Sequence, residues 1–171
     1  MLHRRQEHMS ENELERLRRY ERGTLLSNLF GNHGGRTGEE QNLTDVYQVS
    51  ATECFIAPGL SDEFPLYFLD VQDSILILSG QWLFDSHTML VDEDIFDRWD
   101  SDRSFFKNFL VRCHAKTGLV FELLVEGSET VRAKQLARGL SFKRLRECEV
   151  VPGSALTLIS DLERAGLVEP V

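Results

Sequence analysis

The chain has 171 residues, with 28 acidic against 19 basic side chains and 42% hydrophobic residues. That length suits one domain of ordinary size plus some extra chain, and the apolar fraction supports a core, which excludes wholesale disorder. The net charge of −9 argues against general nucleic-acid binding by counterion release, and no apolar run approaches the roughly 18 residues of a transmembrane helix.

The N-terminal residues Met1, Leu2, His3, Arg4 and Arg5 lead into further charge, so no secretory signal is expected. Residues 1–40 are neutral overall, residues 41–102 carry a net −12, and residues 103–171 a net +3. Such segregation marks either a binding surface or acidic loops that pair with the basic C-terminal third. Cys54, Cys113 and Cys148 are far apart and form no Cys-x-x-Cys pair. No zinc spacing exists, so the three read as reduced thiols of a cytosolic protein.

In chain order, residues 10–22 read as a helix. Ser10 and Glu13 have capping-box spacing, and Leu14, Leu17 and Tyr20 form a narrow apolar stripe. Its arginines and glutamates nearly cancel, which favours packing on the main domain or pairing with a second chain over a membrane surface. Residues 31–42 hold four glycines and read as a linker. Their spacing fits neither phosphate-loop pattern. The expected division is therefore 1–42, helix and glycine-rich linker, and 43–171, one β-rich domain ending in a helix.

From residue 43 the period becomes two. Residues 45–56 read as one or two strands, and 66–71 with 74–79 as a hairpin turning at Gln72 and Asp73. Ile75 and Ile77 face one side and Leu76 and Leu78 the other, which predicts a strand covered on both faces. Gly80 breaks it, and residues 81–85 continue as a short strand or bulge. Residues 109–114 and 119–126 form a second hairpin, with Gly118 in a left-handed position. Leu119, Phe121, Leu123 and Val125 are expected on one face, opposite Glu122 and Glu126. Residues 128–146 are ambiguous between helix and strand, and 148–151 read as a last strand. After Pro152 and Gly153, Ser154 caps a helix with Leu156, Ile159, Leu162 and Ala165 at helical spacing, ended by Gly166.

Two stretches carry a resemblance. Phe68–Asp85 contains Leu76-x-Leu78-x-Gly80-Gln81-Trp82-Leu83-Phe84-Asp85, and Phe105–Gly127 contains a Val-Arg hairpin closed by Thr117-Gly118. Together they resemble an uncharacterised bacterial cytosolic β-rich domain that often follows transmembrane helices in small membrane proteins. The resemblance covers about residues 45–165. It implies a small β-rich domain and brings no activity with it. The membrane segment is missing here, so residues 1–42 become an alternative attachment element and a position near a membrane stays an expectation.

Candidate chemistry is sparse. The acidic run Asp92, Glu93, Asp94, Asp97, Asp100 and Asp102 has the alternation of a calcium loop but no glycine, and it reads as a solvated loop. Cys113 and His114 are adjacent on a strand and face opposite sides, so they do not make a nucleophile–base pair. Arg132, Lys134, Arg138, Lys143, Arg144 and Arg146 form the one basic cluster, and pairing with the acidic middle segment is preferred. Tyr67, Gln81, Trp82 and Phe84 could line an apolar groove, against a packed core with Trp82 at a sheet edge.

The expectation is an α+β fold, mainly antiparallel sheet or a partly closed barrel, with helices at both ends. No catalytic residue, metal or cofactor is assigned. The leading function is a non-enzymatic cytosolic interaction or accessory module. Its partner is a protein, or a second copy through the N-terminal helix. The alternative is a small-molecule sensing domain with its groove at Trp82, and the third reading an enzyme of unrecognised type.

Overall fold

The computed structural model describes residues 1–27, 42–57, 65–79, 89–90, 103–136, 140–142 and 146–170. The glycine-rich segment, Gly80 to Asp85, the acidic run 92–102 and three members of the basic cluster (Arg138, Lys143, Arg144) lie outside the described residues. So do three of the four groove residues, Gln81, Trp82 and Phe84.

Thirteen described strands make two main sheets and a small ribbon. The first sheet runs in the order β1 (Leu2–His8), β2 (Leu43–Ser50), β8 (Asn108–His114), β9 (Val120–Val125) and β6 (Met89–Leu90). The second has the order β12 (Cys148–Pro152), β5 (Ser74–Ser79), β4 (Leu66–Asp70), β3 (Glu53–Ala57), β10 (Thr130–Gln135) and β7 (Ser104–Phe106). The ribbon pairs β11 (Leu140–Phe142) with β13 (Val168–Pro170). Among the described residues two helices, α1 (Glu11–Ser27) and α2 (Leu158–Arg164), complete an α+β fold dominated by antiparallel pairing, and the sheets do not close into a barrel.

Three segments described without a break pass from one sheet to the other. Residues 43–57 cross at Ala51 and Thr52, residues 104–114 at Lys107, and residues 120–135 at Gly127. The ladder continues through this corner: Ala51 N–H donates to Lys107 O at 2.8 Å, and Lys107 N–H to Glu129 O at 2.9 Å. Every backbone group there keeps the chance of a partner while the chain turns, which is why the corner can sit against the core.

Between the sheets lies the main core. Phe105 packs its ring against Tyr67, Phe106 and Phe109 at centroid separations of 4.6, 5.8 and 5.5 Å. Tyr47, Val49, Leu69, Leu76, Leu78, Val111 and Leu123 fill the rest. The outer face of the second sheet carries Phe68, Ile75 and Ile77, covered by Leu158 and Leu162 of α2 and by Val168. Strand β5 is thus interior and buried on both faces, as its two apolar faces require.

On the outer face of the first sheet, Leu119 and Phe121 are covered by Met9 and by Leu14 and Leu17 of α1. Here the expected facing of the second hairpin is corrected. A register shift between Arg112 and Cys113 marks a bulge in β9, with Arg112 opposite Glu122 and Cys113 opposite Val120. The extra residue reverses the alternation. Leu119 and Phe121 go to the helix side, whereas Leu123 and Val125 go to the main core.

The N-terminal segment departs from the expected appendage. Residues 2–8 pair with β2 along their whole length, Leu2 opposite Val49 to His8 opposite Leu43. Helix α1 begins with the anticipated capping box: Ser10 N–H donates to Glu13 Oε2 at 2.7 Å, and Glu13 N–H to Ser10 Oγ at 3.3 Å. Arg16 then donates to the carbonyl of Phe121 and Arg112 joins Glu7 and Glu13 at 2.7 and 3.1 Å. Leu14 and Leu17 of the apolar stripe are therefore used within the chain, whereas Tyr20 is exposed.

The C-terminal helix is shorter and differently phased than expected. A 3-10 turn occupies Ala155–Thr157, and it shifts the inward face to Leu158, Asp161 and Leu162. Leu156 is left almost fully exposed, at 97%. Ser154 makes no side-chain cap. Asp161 Oδ2 instead accepts from Ser154 N–H at 3.2 Å and from Thr157 Oγ1 at 2.5 Å.

Candidate binding seam between two sheet edges

Strands β1 and β12 are the outer strands of the two sheets on one side of the sandwich, and a cavity of about 280 Å³ opens between them. Leu2 and Arg4 of β1, Asp45 and Tyr47 of β2, Cys113 and His114 of β8 and Cys148, Glu149 and Val150 of β12 line it, together with Gly118 and Arg146.

Asp45 is the polar centre of the wall. Asp45, Tyr47 and Val49 alternate inward on β2, so the carboxylate is carried to the core side and is almost completely buried. Four donors satisfy it. Arg4 Nε reaches Oδ1 at 2.9 Å and Nη2 reaches Oδ2 at 3.0 Å, Gln6 Nε2 donates to Oδ1 at 2.9 Å, and Tyr47 Oη to Oδ2 at 3.2 Å. A two-point guanidinium–carboxylate pair fixes geometry as well as charge. The hydrogen bond to Asp45 raises the Arg4 pKa further. Burial first, then the Asp45 charge, pushes the Tyr47 phenol well above its ordinary value.

Two thiols form the floor. Cys113 and Cys148 are buried and unpaired. Cys148 is pushed well above the usual thiol range, first by the adjoining Cys113 thiol and then by burial. His114 also lines the cavity, and its imidazole is held by the hairpin: Thr117 N–H donates to Nδ1 at 3.3 Å and Thr117 Oγ1 lies at 2.9 Å. The third thiol, Cys54, is pushed up to about 12 by burial and lies in the core away from the cavity lining. Among the described residues no group of three or more His, Cys, Asp or Glu converges on a metal-sized site.

The β1 edge itself follows from the ladder. Met1 and Ser50 exchange two hydrogen bonds, at 2.6 and 2.9 Å, and Met9 N–H donates to Asn42 O at 3.0 Å. Paired positions alternate in an antiparallel ladder, so His3, Arg5 and Glu7 turn their backbone groups to β2. Leu2, Arg4, Gln6 and His8 turn theirs outward. On β12 the same reasoning leaves less edge. Cys148 N–H is taken by Gly118 O at 3.0 Å, and Pro152 has no N–H to offer.

Of the groove expected from the sequence, Tyr67 alone is described. It is completely buried against Phe105 in the main core and does not line the cavity between β1 and β12. Of the basic cluster, Lys134 meets Glu53 of the acidic segment at 3.0 Å, whereas Arg146 lines the cavity. In the sequence, Cys113, His114, Cys148 and Arg146 of the seam stand only as reduced thiols, a rejected nucleophile–base pair and part of a basic cluster, and among the described residues no expected groove residue lines it. The available signal was Asp45, an acid in phase with Tyr47 and Val49 on an inward face.

Fold and seam together define a two-sheet α+β domain in which, among the described residues, no strand pairs with the outer edge of β1. No family model, no curated protein and no solved structure matches the chain.

Proposed function

We propose that this protein is a non-enzymatic interaction module of the bacterial cytosol, which takes an extended segment of a protein partner along the outward edge of β1. The observation that carries this is the row of four outward-facing backbone positions, Leu2, Arg4, Gln6 and His8, beside a cavity. An added strand gains its affinity from main-chain hydrogen bonds and its specificity from pockets that take alternate side chains, and this edge offers both. The bidentate hold of Asp45 on Arg4 keeps β1 straight and its edge ordered before a partner arrives. Three unpaired cysteines favour a reducing compartment. No described helix is long and apolar enough to cross a membrane.

The chemistry of the cavity supports a binding role over a catalytic one. The lone pairs of Asp45 are occupied by four donors, the Cys148 thiol is held protonated, and the Nδ1 of His114 is engaged with Thr117. A general base needs a free acceptor within reach of a substrate proton.

Panning a random peptide library against the full chain tests the proposal. Enriched extended peptides should lose binding to the Gln6→Pro and His8→Pro variants, which remove outward N–H groups and leave the ladder to β2 in place. Circular dichroism confirms that each variant is folded. No enrichment, or binding indifferent to both folded variants, overturns the proposal.

A second reading, a small-molecule binding domain, is favoured by the cavity beside Asp45 and Cys148, not by the groove expected near Trp82. A ligand that raises the thermal midpoint of wild type but not of an Asp45→Asn variant would support it.

A further inference from the structure

We propose that Cys113 and Cys148 form a reversible disulfide joining the two sheets, made by a hydroperoxide that enters through the cavity. Cys113 belongs to the first sheet and Cys148 to the second, and both thiols lie in the same core cluster. Both also line the cavity, so a small oxidant reaches them without unfolding. The backbone holds them together: Cys148 N–H donates to Gly118 O at 3.0 Å, and Cys113 stands opposite Val120, two residues beyond that glycine. With Cys113 as the attacking sulfur, Cys148 on the facing sheet stands ready to resolve it, because both line the same cavity.

The reaction runs in two steps. Cys113 gives its proton to water, and its sulfur attacks the terminal oxygen of the hydroperoxide. The O–O bond breaks, and the alkoxide takes a proton and leaves as an alcohol. Cys113 is now a sulfenic acid. The Cys148 sulfur then attacks the Cys113 sulfur, the S–O bond breaks, and hydroxide leaves with the Cys148 proton as water. Two thiols have lost two electrons and the hydroperoxide has gained them. A small thiol such as glutathione reverses the change by exchange. This inference does not depend on the identity of any partner at β1.

Cys54 serves as the internal control, since its thiol contacts the Phe55 carbonyl at 3.8 Å and does not line the cavity. The full chain is treated with hydrogen peroxide, unfolded, alkylated and weighed. Free thiols are expected to fall from three to one, with a peptide linking Cys113 to Cys148 and a higher urea midpoint that dithiothreitol reverses. Cys54→Ser should lose two thiols as wild type does. Cys148→Ser should stop at a sulfenic acid that dimedone captures on Cys113. As a measurement that needs no variant, phenylarsine oxide should bind wild type at one equivalent and protect the same two thiols. Three thiols surviving peroxide, a linkage through Cys54, or failure of the arsenical to bind would each overturn the proposal.

Discussion

Arg4 and Asp45 meet through two parallel hydrogen bonds, Nε to Oδ1 at 2.9 Å and Nη2 to Oδ2 at 3.0 Å, one strand apart and diagonally across the β1–β2 ladder. The Asp45 side chain is 4% exposed and that of Arg4 53%. The pair therefore has one buried anion and one wet cation. Its energetic weight lies in the carboxylate, because truncating Arg4 leaves a charge in the core, whereas truncating Asp45 leaves a guanidinium that water can reach. Arg4→Ala is expected to lower the stability of the full chain by about 2 kcal/mol, after discounting for the solvent on Arg4. Asp45→Ala, which strands the donors of Gln6 and Tyr47, should cost about the same. The double variant should cost less than the sum, and urea unfolding of the four proteins measures the difference.

Gly118 and Gly127 separate two reasons for a glycine. Both have left-handed backbones, φ +71° and +80°. A Cβ at Gly118 would stand 2.3 Å from the Cys148 carbonyl oxygen and 2.8 Å from Arg146 Cβ, whereas one at Gly127 meets nothing within 4 Å. Gly127→Ala should cost about 1 kcal/mol, the left-handed penalty alone. Gly118→Ala should cost about 3 kcal/mol or more, since β12 must also move away from the hairpin. Unfolding midpoints that are equal for the two variants would contradict the close approach.

Removal of the first 27 residues is expected to destabilise the domain. It strips β1 from the sheet and exposes Leu119 and Phe121. Leu17→Ala, at a side chain 6% exposed, should by itself cost about 2–3 kcal/mol. A truncated chain that unfolds with the midpoint of the full one would show that β1 and α1 add nothing.

That outcome bears on what the sequence could tell. Ile75 to Leu78 was legible because two apolar faces leave few solutions, and Gly118 because a Thr-Gly turn between two strands requires a left-handed residue. Strand β1 was not. As an edge strand it needs one apolar contact, Leu2, and its inward Arg4 and Gln6 reach a carboxylate on another strand. Strand β10 was ambiguous because its alternating exposed residues, Arg132 and Lys134 among them, resemble a solvated helix face as much as one face of a strand. The phase of Leu119 and Phe121 was lost to one bulge residue, which no periodicity count registers. The seam was hidden for a topological reason: Arg4, Asp45 and Cys148 come from three strands of two sheets.

Acid should loosen β1 on the first sheet and the start of the C-terminal helix. Hydrogen bonds from Arg112 and then Arg5 hold the Glu7 carboxyl below its ordinary value of 4.5. The Thr157 hydroxyl and, further, the Ser154 N–H and Arg164 hold Asp161 below 3.8. A carboxylate with a depressed folded-state pKa stabilises fully above its unfolded value, and that contribution is lost as pH falls through the folded value. Stability should thus be flat above about pH 5.5 and decline below about 4.5, where the unfolded chain takes up protons first. Glu7→Gln should flatten the upper part of that decline. Urea midpoints measured from pH 6 to pH 3 check the slope, and a Glu7→Gln profile parallel to wild type would contradict it.

Amide hydrogen exchange of residues 2–8, with and without a peptide enriched by panning, tests the docking edge most directly. In the free chain Leu2, Arg4, Gln6 and His8 should exchange fast, and His3, Arg5 and Glu7 slowly, because only the latter donate to β2. The bound peptide should protect the first set while leaving the second unchanged. Protection elsewhere on the domain, with the outward amides of β1 still exchanging freely, would contradict the proposal that β1 is where this protein takes its partner.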